Sequence, residues 1–344
     1  MQPVLSFSGL IIPFAAKIKT ITTAGLPMSD YSKRYLDHLL AHHIYYLNIY
    51  AHVLDNVVQH SAKMPQHITL VDYGAGNGLL GIFAKYCGFK KIFICDTDAL
   101  FTDASKILAA QLNIYIDKFI TGDIETLQQA VANQTIDAVA GTDVIEHIYN
   151  LDVFFAGIKK MNPAMITVFT TASNPHNFIK TRHLKKLQLK DELQGSSPDD
   201  FILAGSEKHN SFIKMREKII AQNFPQLLSE DLLSLSKNTR GLYYPDIITA
   251  VQKFVQTGQM PTPDEASKNT CNPTSGSWTE RILSINQYQA IYAAQGYRLQ
   301  VNNGFYNAFT PGIKKYVNGL LNIIVKITGK TAAPFITLIG YRQG

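Results

Sequence analysis

The sequence predicts an α/β fold built on a doubly wound sheet of seven strands. Three observations carry this expectation. From residue 68 onward, short and nearly continuous apolar runs alternate with helix-patterned stretches, the texture of a parallel sheet covered on both faces. A glycine-rich run, Gly74-Ala75-Gly76-Asn77-Gly78, separates the first apolar run from the first helix. The alternation stops near residue 175, gives way to helical texture, and resumes near residue 284.

The elements follow in order. Residues 1 to 28 read as irregular with at most one short helix. Ser29 or Asp30 then caps a segment whose apolar positions (Tyr35, Leu39, Ile44, Leu47, Tyr50, Val53, Val57) recur at three and four, as one long helix or two shorter ones. ITLVDYG is the first strand and GLLGIFAKYCG its helix. KIFICDTD and ALFTDASKILAAQL form the second pair, KFITGD and IETLQQAVANQ the third, IDAVAGTDV and NLDVFFAGIKKMN the fourth, and AMITVFTTAS the fifth strand. Each crossover is expected to be right-handed. SFIKMREKIIAQNF and YPDIITAVQKFVQTG are helical, and the Pro-, Ser- and Asn-rich stretch from Pro261 to Ser277 reads as an exposed loop. SINQYQAIYAAQG (helix), YRLQVNNGFYN (strand), PGIKKYVNGLLNIIVKITG (helix opened by Pro) and PFITLIGYR (strand) complete the chain. The expected division is an N-terminal helical cap (1–66), a ligand-binding core (67–174), a helical insertion acting as substrate lid (175–283), and the completion of the core (284–344).

At 344 residues, 46% hydrophobic and 17% charged, the chain can bury a large core and is not globally disordered. A net charge of +6 without dense Lys/Arg clusters does not suggest a nucleic-acid partner. Cys87, Cys95 and Cys271 show no metal-like spacing and read as core residues of a reduced, cytoplasmic protein. No metal constellation is visible, so metal independence is expected. The apolar N-terminus lacks a preceding Lys or Arg and is interrupted by Pro13, unlike a secretion signal. No apolar run is long enough to span a bilayer.

The glycine run can be read in two phases. Gly76, Gly78 and Gly81 satisfy GxGxxG, the dinucleotide fingerprint, with Asp96 about 20 residues on. A strand ending near Tyr73 instead puts the turn at Gly74 to Gly78 and Gly81 inside the helix, which is the DxGxGxG phase.

In that phase the chain resembles the class I S-adenosylmethionine-dependent methyltransferases. The residues that carry the resemblance are DYGAGNG after strand one, Asp96 ending strand two, Gly122-Asp123-Ile124 after strand three, Thr142-Asp143-Val144-Ile145-Glu146-His147 after strand four, and a strand at the chain end. DVIEHI is similar to the subgroup of ubiquinone-pathway O-methyltransferases and related small-molecule enzymes. The insertion after strand five, about a hundred residues, departs from that subgroup. The resemblance implies a Rossmann-like sheet, mostly parallel with a reversed last strand, and S-adenosylmethionine as cofactor. Asp72, Gly74, Ala75, Gly76, Asn77, Gly78, Asp96, Thr97, Asp123, Ile124 and Asp143 would line the cofactor site. Asp72 would hold its amino acid end and stiffen the loop, Asp96 would accept from the ribose hydroxyls, and Asp123 would accept from the adenine amine with Ile124 nearby. Against these stand a surface acid for Asp72 and a helix N-cap for Asp123.

Methyl transfer to a hydroxyl needs alignment and proton removal. His147 and Glu146 are the catalytic candidates, with His176 as a second histidine; the alternative is that Glu146 and His147 only position the loop that opens helix four. Lys180, Arg182, Lys185, Lys186 and Lys190 can receive an acidic group or form a solvated face. Tyr31, Tyr35, Tyr45, Tyr46 and Tyr50 can cover the cofactor or belong to the core. The helix with Lys314, Lys315 and Lys326 is amphipathic, suiting an outer sheet helix or a membrane surface. The expected reaction is methylation of a small molecule, at oxygen in the first instance. An NAD(P)-dependent oxidoreductase, a nucleic-acid or protein methyltransferase, and a non-catalytic binding protein stay open as alternatives.

Overall fold

The structure is a computed structural model that describes residues 6–195, 210–262, 269–309 and 312–342. The chain forms two compact units. One comprises Met1–Ile145, Asn150–Asn177 and Ser284–Gly344, the other Glu146–Tyr149 and Phe178–Leu283.

The first unit begins with α1 (Ile11–Ile18). Its apolar residues are core: Ile11, Phe14, Ala15 and Ile18 are buried, and Phe14 packs on Phe83 and Tyr86. The long helical segment is two helices, α2 (Asp30–Ala41) and α3 (His43–Ser61), broken at His42. Ser29 is the cap, accepting from the Ser32 N–H.

The sheet follows. Its strands and helices alternate as β1 (Thr69–Tyr73), α4 (Leu79–Tyr86), β2 (Lys91–Asp96), α5 (Ala99–Gln111), β3 (Lys118–Thr121), α6 (Ile124–Ala130), β4 (Ala138–Thr142), α7 (Leu151–Met161) and β5 (Ile166–Thr171). After the second unit, described below, the sheet resumes with a helix over Ile285–Ala294, β6 (Arg298–Asn303), a helix over Ile313–Thr328 and β7 (Ile336–Tyr341). The strand order is β3-β2-β1-β4-β5-β7-β6. The first five strands run parallel, and β7 is antiparallel to both neighbours. This is a Rossmann-like doubly wound sheet with a reversed last strand, as expected.

Period-two burial sorts the strand residues between two helical layers. Leu70, Ile92, Ile94, Ala140 and Val168 share one core with α1, α3, α4 and α5. On the opposite face Phe169 meets Phe154 and Phe155 of α7. The order reverses between β1 and β4, so a crevice is expected beyond the carboxyl ends of those two strands.

The second unit contains α8 (Phe178–Leu193), α9 (Phe212–Asn223), α10 (Ser229–Asn238) and α11 (Tyr244–Thr257). The two helices that return to the sheet, over Ile285–Ala294 and Ile313–Thr328, are α12 and α13. Ile219, Ile220, Phe224, Leu235, Ile247 and Val251 form the second unit's apolar core. Beside it lies a buried ion pair: the Arg216 guanidinium, fully enclosed, grips the Glu192 carboxylate with both terminal nitrogens. Its Nε donates to the Ser236 carbonyl at 2.8 Å, and the Thr270 hydroxyl donates to Glu192 at 2.6 Å.

Thr270 corrects one expectation. Asn269, Thr270 and Cys271 are buried, and Cys271 bridges to Trp278, so this part of the stretch from Pro261 to Ser277 is not an exposed loop. Its polar residues satisfy buried partners: Asn269 accepts from Gln188 Nε2 and the Ile282 N–H. Residues 263–268 of that stretch, and Pro311 ahead of α13, lie outside the described residues. All three cysteines are buried and unpaired.

Removing one member of a buried ion pair strands the other. Arg216→Ala is therefore expected to lower the stability of the chain by about 3–5 kcal/mol in urea unfolding. A loss below about 1 kcal/mol, the scale of an exposed pair, would show that the pair is solvated.

Candidate functional site

The glycine run folds in the DxGxGxG phase. Gly74, Gly76 and Gly78 all have positive φ, and Gly81 lies inside α4. At Gly74 (φ 65°) a Cβ would collide with Val144 Cγ2, so the loop after β1 and the loop after β4 pack against each other only through a bare glycine. At Gly76 (φ 53°) a Cβ would meet the Tyr35 ring at 3.0 Å. The turn is closed by the Gly78 N–H donating to the Ala75 carbonyl, and is tied to β2 by the Gly74 and Ala75 N–H groups donating to the Cys95 carbonyl.

Two buried carboxylates complete the anchoring. Asp72, 1% exposed, accepts from the Gly81 N–H at 2.7 Å and so caps α4 from the strand below it. Asp96 accepts from the Gly76 N–H at 2.8 Å with one oxygen and from the Asp98 N–H at 2.9 Å with the other. Burial pushes the Asp72 carboxyl up to about 7 against the pull of the Gly81 N–H, and the nearby Asp96 charge adds to the rise. Burial also raises Asp96, opposed by the backbone donors at Asp98, Gly76 and Thr97. Thr97 has an exposed side chain at the β2 tip.

Asn77 is fully buried; its amide donates to the Ser32 carbonyl at 3.0 Å, which pins α2 to the glycine loop. Its Oδ1 is buried without a protein donor. Ser105 on α5 donates to the Gly76 carbonyl at 2.9 Å. Sequence reasoning missed Ser105 and the Asn77 tether; a buried serine on the sheet-facing side of α5 was the available signal.

Asp143 follows β4 in the left-handed region (φ 51°), a conformation that asparagine and aspartate tolerate better than other side chains. Its N–H donates to the Thr170 carbonyl and its Oδ1 accepts from the Ala172 N–H at 3.2 Å, which fixes an exposed carboxylate at the switch point. The tyrosines gather here. Tyr31 and Tyr35 pack on Phe101 of α5. Burial and the Asp143 charge raise Tyr35, Tyr45 and Tyr46, with Tyr46 pushed up to about 12. Asp96 also acts on Tyr35, so that ring stands within the field of both carboxylates. Tyr50 is wholly buried and belongs to the core.

Asp123 is the N-cap of α6, accepting from the Glu125 and Thr126 N–H groups and the Thr126 hydroxyl; these bonds lower its pKa. Ile124 is buried against the bare Cα side of Gly157 on α7.

In the second unit, Glu146 and His147 belong to a 3-10 turn over Ile145–His147 and do not open α7, which Asn150 caps. Glu146 is 1% exposed. His147 Nδ1 lies 2.7 Å from the Trp278 carbonyl, which can only accept, so Nδ1 carries the hydrogen and Nε2 is the basic nitrogen of the neutral ring. Nε2 is 4.0 Å from Glu280 Oε1. On α8, Arg182, Lys185 and Lys186 are exposed. His176, in the first unit, is exposed just beyond β5. Among the described residues no group of three or more metal-ligating side chains gathers.

Comparisons with solved structures find similarity to S-adenosylmethionine-dependent methyltransferases. The magnesium protoporphyrin IX methyltransferase of Synechocystis PCC 6803, solved with S-adenosylhomocysteine bound, is 10% identical over 97% of this chain and 96% of its own, with a TM-score of 0.41. A methyltransferase of Archaeoglobus fulgidus is 10% identical over 90% and 99%, with a TM-score of 0.42. Likeness of that degree bears on neither activity nor substrate. No protein-family model and no curated protein sequence matches the chain.

Asp72 gives the site a pH signature. Its folded pKa, about 7, lies above the ordinary 3.8, so the folded chain holds a proton that the unfolded chain releases. Stability therefore declines as pH rises from about 4 through about 7. Asp96 shifts in the same direction. Asp72→Asn keeps an oxygen for the Gly81 N–H and is expected to flatten, without abolishing, the fall of the unfolding midpoint over that range. An unchanged slope would assign the proton elsewhere.

Proposed function

We propose that this chain binds S-adenosylmethionine at the glycine loop and methylates a small molecule, at an oxygen atom in the first instance. The observation that supports this reading best is the sign of charge around the loop. Asp72 and Asp96 lie beneath it and Asp143 beyond β4, and the aromatic ring of Tyr35 stands against Gly76. Carboxylates and a tyrosine face suit a ligand that carries a sulfonium and an ammonium.

The same arrangement disfavours the dinucleotide reading. A pyrophosphate would need the free N–H groups at the start of α4. There the Asp72 carboxyl already takes up the Gly81 N–H.

When bound, the cofactor would supply an electrophilic methyl group. The residues proposed to hold it are Asp96, whose remaining lone pairs can accept from ribose hydroxyls, and Gly74, Ala75, Gly76, Asn77 and Gly78, which form the turn above it. Asp143 is proposed at the amino acid end. Asp72 is proposed to act through the loop it stiffens. Asp123 and Thr97 are proposed at the adenosine, with Asp123 also serving as the α6 cap, and Ile124 behind them. For proton removal His147 is proposed as general base through Nε2, with Glu146 holding the turn that carries it.

Calorimetric titration tests the reading. S-adenosylmethionine and S-adenosylhomocysteine are expected to bind and NAD is not. Asp96→Ala is expected to weaken both adenosyl ligands by roughly 10- to 150-fold, the loss of one hydrogen bond to a charged group. Binding of NAD alone would replace this reading with the oxidoreductase one. His147→Ala is expected to abolish turnover while binding persists; undiminished turnover would remove His147 from the mechanism.

A further inference from the structure

β6 and β7 pair antiparallel, and a two-residue turn is enough to join such strands. The chain instead places residues 304–335 between them, including α13. This helix buries a single residue, Val325. Asn318 and Asn322 tie its inner side to the backbone of Asn307 and Tyr306. On the other side Ile313, Tyr316, Val317, Leu320, Ile323 and Ile327 are 51% to 79% exposed. At 3.6 residues per turn these six fall within one arc of about 120°.

Charge gives the second observation. Lys314 and Lys326, both exposed, stand on opposite flanks of the arc, with Lys315 behind it. From Arg281 to the C-terminus the chain has seven of its 32 basic residues and none of its 26 acidic ones, so the net charge of +6 arises entirely in that stretch.

We propose that α13 docks the protein on a membrane surface that contains anionic lipid. The apolar arc enters the acyl boundary and the lysines reach the headgroups. With 16 residues α13 is too short to span a bilayer, and among the described residues no helix is long and apolar enough to do so. A second copy is a poorer occupant. Pairing two α13 faces would bring lysine flanks together, and no acidic residue follows Glu280 to separate them. Asn322, Val325 and Lys326 of α13 also line, with Phe305 and Phe309, a cleft of about 480 Å³ on the side of the helix away from the apolar arc.

Co-sedimentation of the full chain with vesicles tests this. Sedimentation is expected with phosphatidylcholine–phosphatidylglycerol vesicles, and at least about tenfold weaker with phosphatidylcholine alone or at high salt. Leu320→Asp with Ile327→Asp, and separately Lys314→Glu with Lys326→Glu, are each expected to reduce binding by about tenfold or more, with an unchanged thermal midpoint because the replaced side chains are exposed. Failure of the wild-type chain to sediment with anionic vesicles would overturn the proposal. So would a stable dimer in light scattering that Leu320→Asp dissociates, which would make a second copy the occupant.

Discussion

The N–H groups of Gly76 and Gly81 donate to buried carboxylates, and the join of the glycine turn to the top of the sheet depends on that pair of bonds. A turn through three left-handed residues cannot form a helical or sheet ladder, so its amides need partners from outside. Asp96 at the end of β2 supplies one of them and the Cys95 carbonyl serves two more, while Asp72 near the end of β1 caps the helix that follows the turn. The β1–β2 register, which places Tyr73 beside Cys95, sets the height at which these groups meet the loop. The motif is thus a joint between two strands and a helix before it is a ligand site.

Much of this was legible in the sequence because the signals are local. A strand ending at Tyr73 forces the turn onto Gly74 to Gly78, and the phase of the motif follows. Five apolar runs separated by helical patterns leave little choice of sheet. What escaped was non-local. Ser105 touches Gly76 across 29 residues and Asn77 reaches Ser32 across 45. No periodicity announces such contacts. The stretch containing Asn269 and Thr270 looked like a surface loop because its composition is polar. Those polar groups instead satisfy Gln188 and Glu192 in the second unit's interior, and buried polar groups require such partners. The alternative in which Glu146 and His147 open the helix after β4 does not hold, because they form a separate 3-10 turn, and Asn150, where the NLDVFF pattern begins, caps α7.

The tyrosines around Asp143 explain how the site keeps its charge. The phenols of Tyr35, Tyr45 and Tyr46 are neutral at physiological pH even before burial and the neighbouring carboxylate raise them, so they add donors and aromatic faces but no further negative charge. The carboxylates alone set the sign. Asp72 and Asp96 are close enough that the charge of Asp96 raises Asp72, and at neutral pH Asp72 sits near its midpoint. A cation placed over the loop would favour ionisation of Asp72 and relieve its repulsion from Asp96, whereas an anion would drive Asp72 toward its neutral form. The charge on Asp72 is therefore tied to what stands over the loop, and it resides on a residue whose first task is to hold the backbone in place.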